Sequence, residues 1–181
     1  NEYYLNYDFF GKSDSNGTIF LNKDNNLVPR DDLLMLHGHN MPSGSMFGRL
    51  RDYESYEFLC EYPVISFRTI YDAKDVYYTP VACFNASMIE NEMGYFKVGT
   101  FVFDKDNSEL NSEIQSDQSY VEYLDEITGR SLWQSKVDVT EDDRLLALVT
   151  CSYQHTDGRF LLFCRELRED ETPEGVKGLY L

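Results

Sequence analysis

The sequence predicts a mainly-β domain, a closed or nearly closed β-barrel with added helices. Seven short runs rich in β-branched, aromatic and aliphatic residues are separated by turn signals, which is typical of antiparallel β folds. Only two longer segments show the apolar spacing of amphipathic helices. The 181 residues are enough for one domain with a sizeable core. We therefore expect a single domain over 1–181, with 1–16 as an N-terminal segment and 169–181 as a loose tail.

The predicted strands are supported by the turns beside them as well as by their composition. The first strand follows the turn dipeptide Asn16-Gly17. The third and fourth flank a polar turn at 71–75, and the last two flank a polar loop at 152–158, so each pair is expected to form a hairpin. The seven runs cover 17–21, 33–39, 64–70, 76–84, 95–103, 145–151 and 159–167.

Two segments are predicted as helices. In 45–62, apolar residues recur at roughly helical spacing. In 117–132 they recur in the same way with acidic residues between them, and Asp117 is a candidate N-cap. Residues 169–178 are charged and contain Pro173, which favours a loosely ordered tail.

The charge of the chain excludes one class of partner. The sequence contains 16 basic and 32 acidic residues, a net charge of −16. Binding of nucleic acid depends on clustered Lys and Arg, so nucleic acid is not expected as a partner. In addition, no apolar run reaches the roughly 18 to 20 residues that a membrane-spanning helix needs.

Three reactive side chains stand at the ends of predicted strands. His39 and Cys151 each close an apolar strand, and Arg159 opens the strand antiparallel to that of Cys151. If the fold brings these ends together, a thiol, an imidazole and a guanidinium share one cleft, and that set is sufficient for covalent acyl transfer. Arg159 would then bind a substrate carbonyl or stabilise an oxyanion. From the residues alone, an inert buried Cys151 and an ordinary surface Arg159 remain open.

The remaining cysteines and histidines argue against a metal centre. Cys60, Cys83 and Cys164 lie in apolar surroundings without CxxC pairing, so we expect buried thiols rather than a zinc site. His37 would share a strand face with His39, but no third ligand stands at suitable spacing. The sequence therefore predicts no metal.

Three motifs together resemble those of class B sortases. They are Gly38-His39-Asn40-Met41 followed by Gly44-Ser45-Met46-Phe47, then Leu148-Val149-Thr150-Cys151, and an arginine eight residues after that cysteine. The insertion with a helix near 117–132, before the cysteine strand, is also typical of class B. Val149 departs from the pattern, because many class B members have a small hydroxyl residue there. The resemblance implies a sortase-type closed eight-stranded β-barrel with flanking helices, one of them in the insertion.

The resemblance also implies a cysteine transpeptidase without a cofactor. Such enzymes cleave a C-terminal sorting signal, LPxTG or NPxTN-like, after its Thr and form a thioacyl-enzyme. By position, Cys151 would be the nucleophile, His39 the acid/base, and Arg159 the group that holds the carbonyl or the oxyanion. Thr150 and Asn40 are expected to contact the substrate.

The implied partners are a surface protein that bears the sorting signal and a peptidoglycan precursor whose amine resolves the thioester. A class B pilin polymerase, which would use a pilin lysine, is the alternative within the family. Outside it, a catalytically silent acidic binding barrel and a simple cysteine hydrolase remain alternatives. The resemblance further implies a place on the extracellular face of a Gram-positive cell membrane, with an N-terminal anchoring segment that this sequence does not include.

Overall fold

A mixed β-sheet forms the centre of the molecule. The computed structural model describes residues 2–97 and 120–181. The strands found there are β1 (Phe20–Leu21), β2 (Leu33–His37), β3 (Ile65–Ser66), β4 (Tyr77–Ser87), β5 (Leu145–Ser152) and β6 (Gly158–Glu166). They form one sheet in the order β1-β2-β5-β6-β4-β3.

The pairing of β2 with β5 determines where the functional groups meet. These two strands are parallel, with Leu33 opposite Leu145 and His37 opposite Val149, whereas the other neighbouring strands are antiparallel. Parallel strands end at the same edge of a sheet. Because β6 runs antiparallel to β5, it begins at that same edge. The end of β2, the end of β5 and the start of β6 therefore lie side by side.

Short helices lie against the sheet in the described part of the chain. The α-helices are α1 (Tyr56–Glu61), α2 (Tyr120–Gly129) and α3 (Pro173–Gly178), and two 3-10 turns cover Glu2–Leu5 and Leu50–Glu54. The helix α2 lies within the predicted segment 117–132, so the predicted helix of the insertion is present. Among residues 2–97 and 120–181, we find no helix with the length and apolar character needed to span a bilayer.

Both faces of the sheet are buried, which explains why β5 is apolar at almost every position. Side chains that follow one another along a strand point to opposite faces. On one face Val149 belongs to the same apolar cluster as Ile127 of α2. On the other face Leu148 shares a cluster with Leu59 of α1 and Val176 of α3. Burial on both sides fixes the register of the strands, and with it the position of their ends.

The fold is mainly β, as the sequence predicts, but the predicted closed eight-stranded barrel is not observed in the described residues. The sheet there has two edges, β1 and β3, each only two residues long. Both edge strands are shorter than the predicted runs, because only these residues pair with a neighbouring strand. The predicted strand at 95–103 lies mostly outside the described residues.

The predicted helix at 45–62 is broken into turns, a 3-10 turn and α1. Gly48 is packed so closely that a Cβ there would lie 2.1 Å from the Met41 carbonyl oxygen. Met46 has a φ of +52°, which a right-handed helix does not allow. Ser55 is extended, and its hydroxyl accepts a hydrogen bond from the backbone in the first turn of α1, so the helix begins after it.

The C-terminal residues are not the loose tail that their charge predicts, because they form α3. Thr172 is its N-cap, and its Oγ1 accepts a hydrogen bond from Gly175 N at 3.0 Å. Val176 and Tyr180 are buried against the sheet. The burial of these two apolar side chains outweighs the charged composition of the segment.

Candidate active site

Three strand ends bring Cys151, Arg159 and His39 to one place. Cys151 lies near the end of β5, directly opposite Arg159 at the start of β6. Opposed residues of antiparallel strands project to the same face, so the thiol and the guanidinium share one side of the sheet. Beyond β2 the chain stays beside β5, because Gly38 N donates to Val149 O at 3.2 Å. His37 pairs with Val149, so His39, two residues further along, lies beside Cys151.

An open cavity of about 220 Å³ connects these groups. It is lined by the three predicted catalytic side chains and also by Leu5, His37 and Thr150. Cys151 and Arg159 are both half-buried, so a substrate can reach them. A larger hollow of about 940 Å³ beside the end of α2 has neither a cysteine nor a histidine in its lining. The chemistry of the side chains therefore identifies the smaller cavity as the candidate site.

The imidazole of His39 is oriented by the N-terminal segment. Its Nε2 lies 2.8 Å from the Leu5 carbonyl oxygen. A carbonyl oxygen only accepts hydrogen bonds, so Nε2 carries a proton and Nδ1 is the nitrogen left for proton exchange. The segment is held in place by Thr18 N, which donates to Tyr4 O at 2.8 Å. Sequence reasoning missed this partner of His39, because a main-chain carbonyl has no signature in a sequence.

The second histidine of the cavity, His37, is neutral. Asn22 Nδ2 lies 3.3 Å from His37 Nε2, and an amide nitrogen only donates, so Nε2 is the acceptor. The ring also stacks on Phe20, with 5.4 Å between the ring centres. Burial, with a smaller contribution from the charge of Arg159, lowers the pKa of His37 to about 4. His37 therefore stays neutral at neutral pH and lacks the second proton that an imidazolium gives as a general acid.

The two residues that we expect to contact the substrate tie the histidine segment to the cysteine strand. Thr150 is buried, and its Oγ1 donates to Gly38 O at 2.8 Å. Asn40 Nδ2 donates to Cys151 O at 3.0 Å. These bonds join segments that are distant in sequence, and they fix the position of the imidazole relative to the thiol. Contact of either side chain with a substrate stays a prediction.

Arg159 is held by the turn before β6. Its Nη1 donates to Gly158 O at 2.9 Å and forms an ion pair with Asp157 Oδ1 at 2.9 Å. Asp157 is not among the residues singled out from the sequence. An acidic residue in a polar loop is ordinarily a solvated side chain, so nothing in the sequence distinguishes it from its neighbours.

Burial and position together distinguish Cys151 from the other three cysteines, and all four are free thiols. Cys83 and Cys164 are fully buried. That burial raises the pKa of Cys83 to about 12 and also raises the pKa of Cys164. Cys60 is half-buried but lies in α1, outside the cavity. Cys151 is the cysteine that combines accessibility with a place in the cavity.

The groups in the cavity are suited to acyl transfer. Within 2–97 and 120–181, no group of three or more His, Cys, Asp or Glu side chains is arranged to hold a metal ion. What the cavity offers is a thiol, an imidazole with Nδ1 available, and a guanidinium. A thiol can attack a carbonyl carbon, an imidazole can exchange the protons involved, and a guanidinium can stabilise the oxyanion.

Comparison with known proteins agrees with this geometry. The chain is 27% identical to Sortase B of Staphylococcus aureus over 174 residues, which is 93% of this chain and 62% of that protein. It is 26% identical to Sortase B of Listeria monocytogenes over 164 residues, which is 90% of this chain and 59% of that protein. No protein-family model matches the chain.

Solved structures lead to the same family. The structure resembles that of a Staphylococcus aureus sortase B–substrate complex with a TM-score of 0.72 and 25% identity, covering 94% of this chain and 71% of that chain. The chain spans only 62% and 59% of the length of the two curated relatives, so the similarity concerns the part that they share. Sequence and structure agree within that part, and the chain is a homologue of the class B sortases.

Proposed function

We propose that the protein is a cysteine transpeptidase that cleaves an LPxTG or NPxTN-like sorting signal after its Thr. It would then join the surface protein that bears this signal to an amine of the cell wall. The main support is one observation: Cys151 lies directly opposite Arg159 across β5 and β6, with His39 in the same cavity. The similarity to sortase B proteins supports the same chemistry.

The first half-reaction begins with attack by Cys151. The thiol proton passes to His39 Nδ1, and Sγ attacks the carbonyl carbon of the substrate Thr. A C–S bond forms, and an electron pair of the carbonyl moves to its oxygen. An N–H of the Arg159 guanidinium donates to this oxyanion, and a donor of this kind contributes roughly a hundredfold to a thousandfold in rate.

The tetrahedral intermediate then collapses to a thioester. The C–N bond after the Thr breaks, and His39 Nδ1 gives its proton to the leaving amine. The ring keeps its orientation throughout, because Nε2 remains bonded to Leu5 O at 2.8 Å. The C-terminal part of the sorting signal leaves, and the surface protein stays on Cys151.

An amine resolves the thioester in the second half-reaction. His39 Nδ1 takes a proton from the attacking amine, a C–N bond forms, the C–S bond breaks, and Cys151 regains its proton. We propose a peptidoglycan precursor as the source of the amine. A solved sortase B in complex with triglycine, which is 25% identical to this chain and matches 94% of it, supports an acceptor of this type. In keeping with this acceptor, the enzyme would act on the extracellular face of the membrane.

Mass spectrometry of the protein with a peptide panel tests the proposal. LPxTG-like and NPxTN-like peptides are supplied with and without two acceptors, triglycine and a lysine-containing peptide. We expect an adduct on Cys151, cleavage after Thr, and a new amide bond when an acceptor is present. Cys151→Ala and His39→Ala should abolish cleavage. Cys60→Ala, which removes a half-buried thiol outside the cavity, should retain it.

Other results would favour the alternatives. Cleavage that added amines neither accelerate nor redirect would identify a hydrolase. Transfer to the lysine peptide but not to triglycine would favour a pilin polymerase. If no peptide gave an adduct and a small alkylating reagent failed to label Cys151, the enzymatic proposal would be rejected in favour of a silent binding barrel.

A further inference from the structure

The turn before β6 places an acidic residue beside the proposed oxyanion donor. We propose that Asp157 is a positioning residue, whose carboxylate holds the Arg159 guanidinium so that its free N–H groups meet the carbonyl oxygen of the substrate. This inference rests on the proposed function and adds a residue to its machinery. Asp157 does not line the cavity that holds the thiol and the imidazole, so it acts through Arg159.

In the described residues, Arg159 makes its hydrogen bond and its ion pair through a single nitrogen, Nη1. Nη1 donates to Gly158 O at 2.9 Å and forms an ion pair with Asp157 Oδ1 at 2.9 Å. Nη2 and Nε make no hydrogen bond to any residue in the described ranges. The guanidinium is planar and rigid, so a hydrogen bond and an ion pair on Nη1 also restrict the direction of the other donors. Arg159 lines the cavity with Cys151, and these donors are the ones available to a substrate oxygen.

The geometry of the turn fixes the backbone from which the carboxylate projects. Gly158 pairs with Ser152 and closes the hairpin. A Cβ on Gly158 would lie 2.8 Å from Ser152 O and 3.0 Å from His155 O, so no larger residue fits there. Asp157 has a φ of +49°, a left-handed conformation that Asp and Asn adopt more readily than most residues. The Asp-Gly pair therefore combines a tight turn with a carboxylate two residues before the arginine.

The ion pair is too exposed to contribute much to folding. The side chain of Asp157 is 56% exposed and that of Arg159 is 30% exposed. Pairs of this kind contribute little to stability. An oxyanion donor, in contrast, is effective only if it already points at the place where charge develops in the transition state. We therefore expect the pair to affect the reaction rate rather than the stability of the fold.

Asp157→Asn and Asp157→Gly test the inference. Asn and Gly both accept a positive φ, so the turn is retained while the charge or the whole side chain is removed. The rate of thioester formation at saturating peptide should fall on the order of tenfold, with KM little changed, because the interaction acts in the transition state. Asp75→Asn is the matched control. It breaks a similarly exposed pair, with Arg68 at 3.4 Å, outside the cavity, and should have the wild-type rate.

A double-mutant cycle distinguishes positioning from other effects. In an Arg159→Ala background, Asp157→Asn should cause no further loss of rate, because Asp157 has no function without the arginine. An equal loss in both backgrounds would overturn the inference. Single Asp157 variants as fast as the wild type would also overturn it, and in both cases the proposed transpeptidase activity would stand.

A spectroscopic measurement applies even if no peptide reacts. In nitrogen-15-labelled protein, the Arg159 Nε–H signal is assigned by its loss in Arg159→Ala. We expect an ordered side chain in the wild type and in Asp75→Asn, and a more mobile one in both Asp157 variants. Equal order in all of them would refute the positioning role. If the order of the Arg159 side chain depends on Asp157 but the protein cleaves no peptide, the positioning role is supported and the proposed function is not.

Discussion

At the cavity wall, two histidines that lie two positions apart have different chemical characters. The difference comes from their hydrogen-bond partners: His39 Nε2 donates to the Leu5 carbonyl, whereas His37 Nε2 accepts from the Asn22 amide. Because its pKa is lowered to about 4, His37 adds no positive charge beside Arg159 at neutral pH. The sequence shows both imidazoles, but their partners, which decide their roles, lie elsewhere in the chain.

The substitutions His37→Gln and His39→Gln should therefore have different effects. Gln offers an amide oxygen near the position of Nε2, so the hydrogen bond from Asn22 is retained. We expect His37→Gln to leave the pH dependence of thioester formation unchanged from about pH 5 to about pH 8, because a group with a pKa of about 4 hardly titrates there. His39→Gln should lower the rate roughly a hundredfold or more. Peptide reactions followed by mass spectrometry across that pH range measure both effects, and a displaced profile in His37→Gln would contradict the assignment.

Among the structural elements, the N-terminal 3-10 turn contributes little to the core but much to the site. The turn Glu2–Leu5 contains no buried residue, yet it supplies the carbonyl that orients His39. It also passes close to Gly17. A Cβ on Gly17 would lie 2.6 Å from Tyr4 O and 2.7 Å from Leu5 O. Position 17 therefore offers a way to disturb His39 without altering any side chain of the cavity.

Gly17→Ala should slow the reaction much more than Gly11→Ala does. The added methyl group should displace the Leu5 carbonyl from His39 and lower the rate of thioester formation roughly tenfold. Gly11→Ala is the matched control. Its φ of +76° is comparable to the +59° of Gly17, so the left-handed backbone should cost each variant about 1 kcal/mol, and the backbone contact adds to this cost in Gly17→Ala. A Cβ on Gly11, however, would meet only Tyr3 Oη, at 3.3 Å. Peptide cleavage and thermal unfolding compare the two, and equal losses of rate would show that backbone strain alone is responsible.

The elements that the sequence predicts best are those with a strong local signal. The strands β2, β4, β5 and β6 lie where apolar runs predict them, because a strand buried on both faces is apolar at nearly every position. The edge strands β1 and β3 are shorter than predicted, because the composition of a run does not show whether a neighbouring strand is available to pair with it.

Features that arise from tertiary contacts have no such local signal and could not be predicted from the sequence. Thr172 and Pro173 form a helix-start signal, but α3 depends on the burial of Val176 against the sheet, which the charged segment around it conceals. The same distinction holds in the site. The reactive side chains at the strand ends could be recognised from the sequence, whereas the contact of the Leu5 carbonyl with His39 and that of the Asp157 carboxylate with Arg159 could not.

For the molecule as a whole, ion pairs link the C-terminal segment to the sheet. The Arg165 side chain is fully buried and donates to both carboxylate oxygens of Glu171, at 2.7 and 2.8 Å. These hydrogen bonds lower the pKa of Glu171. Burial would raise the pKa of Asp143, but hydrogen bonds from Arg168 and Thr140 outweigh it and lower that pKa. Carboxylates of this kind stabilise the fold above their unfolded-state pKa, and their contribution is lost as the pH falls through the folded-state pKa.

The protein should therefore lose stability below about pH 4, where the carboxyl groups of the unfolded chain take up protons. Glu171→Gln should cost about 3 kcal/mol at neutral pH, because it leaves the Arg165 charge buried without its partner. The difference from the wild type should shrink as the pH falls. Glu169→Gln, at an exposed position nearby, is the control and should have little effect. Urea unfolding at a series of pH values measures these changes, and a Glu171→Gln penalty that persisted in acid would argue against the ion pair as its cause.

The parallel pairing of β2 with β5 also affects when reactivity arises during folding. A hairpin can form from neighbouring residues, but a parallel pair such as Leu33 with Leu145 requires the long intervening chain to be arranged first. Until then, Cys151 is an ordinary thiol with no imidazole to take its proton. The proposed thioester formation thus requires the complete tertiary structure. A misfolded or nascent copy would keep its free thiols but would not form thioesters with peptides.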